Sequence, residues 1–401
     1  MSVVQITSPG ARPHPFALFN LGFRPFFLLA AAFAPLSILV WAGTQIHGWP
    51  LPARLPVAPM AWHGHEMVFG YAMAVVAGFL LTAVRNWTQL PTPRGLPLAG
   101  LAGAWLAARL VMAVVPHALA AAALLDLAFG LALVMAIARP LARAGQWPQF
   151  GIVAKVGLLV LANGAFYAGA LGWLDAGVRW GLYSGLYLIL SLIFVMARRV
   201  LPFFIERGVG YPVSLRNRVW VDRSSLVLML AFWVADSFLA VPAAVALLAL
   251  ALLAVHAVRL YDWHTSGIWR KPLLWVLYLG YATAVLGFLL KGLSVWAGVS
   301  PYLAVHAFAA GGIGLMTVGM MARVTLGHTG RSVQTPPRAV TAVFALMAAA
   351  FVARVGAPLM WPAAYGVWLG LAMGLWVAAF ALFLAVYAPM LVRPRIDGQP
   401  G

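Results

Sequence analysis

The sequence predicts an all-α, polytopic membrane protein of about twelve transmembrane helices with both termini cytoplasmic. Three observations carry this. Of 401 residues, 64% are hydrophobic and only 8% charged, against roughly 25% charged in soluble domains. The apolar residues form long unbroken runs of Leu, Ala and Val, which spanning helices require and which the alternation of a β-barrel strand excludes. The basic residues gather on alternate connections, as the positive-inside rule demands.

The elements follow in order. An N-terminal segment, 1–25, lacks the apolar core and small-residue cleavage site of a signal peptide. The first apolar run then covers 26–46. Runs at 62–84, 96–116, 118–138, 150–172 and 179–201 each reach the ~20 residues that cross a hydrocarbon core. The longest predicted cytoplasmic loop, 202–223, leads to a short span at 224–240. Spans at 242–261, 272–297, 301–324 and 338–357 come next. The last, 363–392, is long enough to tilt or emerge. A tail, 393–401, closes a single transmembrane domain of 1–401.

With this threading, twenty Lys and Arg fall on the side of the termini, and only Arg54, Arg179 and Arg354 on the other. That asymmetry places the termini in the cytoplasm. It also accounts for the net charge of +18 as orientation and attraction to anionic lipid, so no nucleic-acid role is needed. Spans two, six and ten end alike, in TAVRNWT, FVMARRVLPF and GMMARVTLGH, a faint repeat that suggests three four-helix units.

The chain has no cysteine. Disulfides, thiolate metal sites and covalent haem attachment are excluded, and a bound metal must use His, Met, carboxylate or carbonyl. The stretch AWHGHEMVFGY, 61–71, sets His63, His65 and Glu66 at the outer end of span two. His306 lies one to two turns below the outer surface in span ten, while His256, His264 and His328 fall toward the inner side. Residues two apart on a helix project about 200° apart, so His63 and His65 face different neighbours. His63, Glu66 and Met67 are expected on one face, and His65 and Phe69 on another. Imidazole suits haem iron or copper, and a thioether suits Cu(I). Interfacial histidines bonded to water or lipid are the plainer alternative.

Gly311, Gly312, Gly314 and Gly319 beside His306 permit close approach of a helix, the commoner use, or of a flat macrocycle. Met316, Met320 and Met321 serve as apolar filler or copper ligands. Arg109 and Asp126 lie at similar depth on consecutive spans and are expected to pair. Asp236 and Lys291 share the same half, and with Glu66 they suggest either ion-pair locks or a proton path.

The stretches FNLGFRPFFLL, AWHGHEMVFGYAMAVVAGFLLTAVRNWT, RRVLPFFIERG, RLYDWHTSGIW and HAFAAGGIGLMTVGMMARVTLGHTGR resemble the NnrS family of bacterial inner-membrane proteins. That resemblance implies twelve helices, haem b and copper, and a part in nitric oxide metabolism and nitrosative-stress protection. It favours His63, His65, His256, His264, His306 and His328 as cofactor ligands, with His63, His65, His306 and Met67 as metal candidates. Two function classes follow. An oxidoreductase would reduce two nitric oxide molecules with two electrons and two protons, Glu66 donating protons and a quinol the electrons. A non-enzymatic protein would bind and buffer or sense nitric oxide or metal. A twelve-helix transporter is a third reading, disfavoured because its site would sit at the midplane.

Overall fold

The computed structural model describes residues 16–51 and 55–399. Arg12 and Arg54 therefore lie outside the described residues. Within them the chain forms twelve helical rods and no strand. These are α1 Phe23–His47, α2 Pro59–Thr88, α3 Leu96–Val114, α4 Leu119–Arg143, α5 Trp147–Ala170 and α6 Gly177–Gly208. Next comes α7, Val219–Val234 continued by a π turn at Ala235–Leu239. The rest are α8 Pro242–Trp263, α9 Pro272–Trp296, α10 Pro301–His328, α11 Ala339–Met360 and α12 Pro362–Val392. All but α7 are long and apolar enough to cross a membrane. The exception holds Asp222, Arg223 and Asp236 within a single rod.

Local chemistry sets the boundaries. Seven rods (α2, α3, α5, α8, α9, α10 and α12) carry Pro at one of their first two positions, where its missing N–H costs no hydrogen bond. One boundary differs from expectation. Pro202 does not end α6, which runs on to Gly208, so the link to α7 is 209–218 rather than 202–223. Likewise α7 begins at Val219 and is not the short span expected at 224–240.

Packing organises the rods into three units of four: α1–α4, α5–α8 and α9–α12. Units join through α4 against α5, α8 against α9 and α12 against α1, which closes a ring. The second helix of each unit, α2, α6 and α10, meets the other two at the centre. The repeated endings of spans two, six and ten thus mark equivalent helices. Arg24 fastens the closure. Its Nη1 donates to the carbonyls of Met390, Leu391 and Arg393 at 3.3, 3.0 and 2.7 Å, capping the negative end of α12. Beside it the Phe23 N–H donates to Thr82 Oγ1 at 3.1 Å. The first and last described segments therefore sit on one face of the bundle, hereafter the termini face.

Four rods contain a π turn: Glu66–Ala72 in α2, Ala235–Leu239 in α7, Ala307–Leu315 in α10 and Val352–Gly356 in α11. Each widens the helix by a residue and redirects the side chains that follow. All four lie in the half of the bundle away from the termini face.

Candidate metal centre and its neighbouring ion clusters

Three polar clusters occupy that half, each at a junction between two units. The first is built on α2–α5. Arg109 Nη2 lies 2.5 Å from Asp126 and its Nε 3.2 Å from Glu66. His65 Nδ1 lies 2.7 Å from Glu66 and its Nε2 2.9 Å from Asn163. Asn163 Nδ2 and the Tyr167 hydroxyl both donate to Asp126, at 3.0 and 3.1 Å. Glu66, Asp126, Arg109 and His65 are all buried. The expected Arg109–Asp126 pair is present, and it is part of a larger network. Carbonyls loosened by the π turn are taken up by the same helix pair: Trp105 Nε1 donates to Gly70 O at 3.1 Å.

This corrects two expectations. Glu66 does not join His63: its carboxylate turns to Arg109 of α3 and to His65, while His63 turns to Trp41 and His306. Nor is it open to water, being 2% exposed. Met67 turns to α1, where Ser37 Oγ lies 3.6 Å from its sulfur.

The second cluster joins Asp236 to Lys291 at 2.8 Å, with the Tyr187 hydroxyl donating to the same carboxylate and Arg179 donating to the Asp236 carbonyl at 2.6 Å. It is a compact buried ion pair to which a hydroxyl adds a hydrogen bond, and such support favours a pair in a low-dielectric site.

The third cluster contains the candidate metal centre. His63 of α2 and His306 of α10 approach each other with ring centroids 6.5 Å apart and planes 13° from parallel. Trp41 of α1 stacks on His63 at 4.6 Å and 8°. The Tyr302 carbonyl lies 2.8 Å from His306 Nδ1. A carbonyl only accepts, so Nδ1 carries the proton, and in the neutral ring Nε2 keeps its lone pair. His63 Nδ1 is buried with no hydrogen-bond partner. Two imidazoles on one ion hold it at about 2.0–2.1 Å each, which sets the nitrogens up to ~4 Å apart and the ring centres roughly 6 Å apart. The pair fits that separation, and the Tyr302 carbonyl is the usual outer partner that fixes a ligating histidine.

The other histidine candidates do not fit as well. His65 has both nitrogens engaged. His256 sits among Phe194, Phe288 and Tyr281, with Nδ1 2.5 Å from the Tyr281 hydroxyl and Nε2 3.1 Å from Ser225. His264 accepts from Trp269 Nε1 at 3.2 Å. His328 packs on Phe23 at 5.6 Å. No group of three or more His, Asp or Glu converges as a ligand set among the described residues. The glycines of α10 serve helix packing. A Cβ on Gly311 would stand 2.8 Å from Phe351, on Gly312 2.8 Å from Ala284, and on Gly314 2.9 Å from Trp376. Met316 and Met320 line an apolar cleft with Val76, Phe79 and Met196, which suits filler better than a ligand role.

Sequence reasoning passed over Asn163, Tyr187 and Arg354. Each is a polar group inside an apolar run, and that signal was available.

Fold and clusters together define a polytopic helical membrane protein with buried ion pairs and one inter-unit histidine pair. Residues 17–395 match the family described as NnrS protein, nearly the whole chain, and the protein belongs to the NnrS family. Membership points to a membrane protein related to nitric oxide. No curated relative matches the chain.

Proposed function

We propose that the protein is a haem-bearing protein of the bacterial inner membrane that binds nitric oxide, with its metal group held by His63 and His306. The observation that supports this best is that pair. It joins two units of the ring, its rings are nearly parallel, and His63 Nδ1 is left without a partner where the buried His65 and His256 have both nitrogens engaged. Haem b, when bound, supplies an iron centre able to take up nitric oxide or pass electrons. The chain's residues do the rest. Tyr302 sets the tautomer of His306, Trp41 fixes the plane of His63, and the ring closure holds α1, α2 and α10 in register. The basic asymmetry supports cytoplasmic termini, and with them a position of this pair toward the periplasmic side.

Binding, with a buffering or protective role, is favoured over reduction because Glu66 is committed to Arg109 and His65. A proton donor must reach the reacting group directly or through one water. Copper belongs to the proposal as an ion to be measured. Optical spectra and metal analysis of the purified protein test the cofactor. Anaerobic turnover of nitric oxide with a quinol donor tests the enzymatic alternative. Steady turnover that Glu66→Gln abolishes would establish reduction in place of simple binding.

A further inference from the structure

The third helix of each unit carries one ionisable residue in its last two turns: Arg109 on α3, Asp236 on α7 and Arg354 on α11. In two units the protein neutralises that charge itself. Arg109 faces Glu66 and Asp126, and Asp236 faces Lys291. In the third it does not. All eight acidic residues of the chain fall within the described residues, and none forms an ion pair with Arg354. The guanidinium lies over the Tyr365 ring at 5.6 Å. Its Nη1 is sealed from solvent and has no hydrogen-bond partner. The turn that carries Arg354 packs directly against the Pro301–His306 turn of α10, and its Val355 shares a buried apolar cluster with Leu303, Ala304 and Ala307.

The cation has the Tyr365 side chain as a hydrogen-bond partner but no carboxylate, and it lies on a turn adjoining the one that carries His306. A bare divalent ion between two neutral imidazoles would add two positive charges beside the one already there, with no carboxylate to offset them. Like charges repel more strongly in a partly buried site than in open water. A ligand that brings its own negative charge removes the conflict. We infer that Arg354 is the counter-ion for a carboxylate carried by the metal group seated on His63 and His306. The site is thus selective for an anionic metal cofactor over a bare divalent cation. This rests on the metal-binding reading above and adds its charge requirement.

The test uses full-length protein in detergent, freed of cofactor, and three probes: iron protoporphyrin, its dimethyl ester, which has no carboxylate charge, and copper(II) alone. The unsubstituted protein should bind the free acid at least about tenfold more tightly than the ester, as a charge-assisted contact implies. Copper(II) alone should not bind stoichiometrically in a manner lost with His63→Ala. Arg354→Gln should erase the preference for the acid while still binding the ester, and Arg354→Lys should keep most of it. The midpoint potential of the bound iron should fall in Arg354→Gln, since loss of a nearby cation favours the oxidised state, and recover in Arg354→Lys. An unchanged preference and potential in Arg354→Gln, with His63→Ala still losing the cofactor, would overturn the counter-ion role and leave the metal reading intact. Failure of the unsubstituted protein to bind either porphyrin would overturn both.

Discussion

Arg109 and Asp126 meet at 2.5 Å on helices that are antiparallel neighbours, and Glu66 approaches the same guanidinium from α2 at 3.2 Å. Removing one member strands a buried charge, which costs about 3–5 kcal/mol when the partner cannot relax. Asp126→Ala should therefore lower stability by that order, and Arg109→Ala similarly, measured as the midpoint of thermal or denaturant unfolding in detergent. The double variant should be less damaging than the sum of the two. Simple additivity would mean that the pair is not coupled.

His65 and His63 should differ in kind. His65 bridges Glu66 and Asn163, so His65→Ala is expected to weaken the α2–α5 packing and leave cofactor content largely intact. His63→Ala should do the reverse. Cofactor analysis beside an unfolding curve for each variant separates the two effects. Equal cofactor loss in both would argue for a shared centre.

Close packing of α10 on α9 needs a residue without a side chain at Gly312, where a Cβ would stand 2.8 Å from that of Ala284. Overpacking of this kind costs about 1–3 kcal/mol. Gly312→Val should destabilise the protein by that amount, while a control at Gly103, which has open space, should change it little. Similar losses at both sites would show that helix propensity rather than contact is being measured.

The C-terminal tail gives a pH prediction outside the spans. Arg395 donates to Asp397 at 2.9 and 2.6 Å and holds its carboxyl at about 2, below the ordinary 3.8. A depressed carboxyl contributes above its unfolded value and loses that contribution as pH falls through about 2. At neutral pH the contact is present, so Asp397→Asn should loosen the tail from the Thr329 loop, where the Ile396 N–H donates to the Thr329 carbonyl at 3.2 Å. Faster amide exchange at Ile396 in the variant would show it. Unchanged exchange would assign the tail's order to the backbone contact alone.

The sequence carries the helical architecture because the bilayer imposes it. Runs of about 20 apolar residues and a lopsided basic count leave few other threadings. The Arg109–Asp126 pair was legible for the same reason, since two charges at one depth in oil must find each other. Glu66 differs from expectation because i, i+3 spacing fixes where a side chain leaves the helix but not which neighbour it reaches, and the buried Arg109 draws the carboxylate to α3. The End of α6 was misjudged at Pro202, which a long helix tolerates near the termini face. Arg354 read as one stray cation on the sparse side. Its place beside the histidines depends on how the third unit folds back on the first, a relationship that no local pattern records.

The central claim is that His63 and His306 together hold the metal group. It is tested most directly by the optical spectrum of protein purified from cells given ample haem supply, compared with His63→Ala, His306→Ala and His256→Ala at equal concentration. The account predicts a haem absorption band in the unsubstituted protein and in His256→Ala, lost or strongly shifted in both His63→Ala and His306→Ala. A band unchanged in the last two would contradict it.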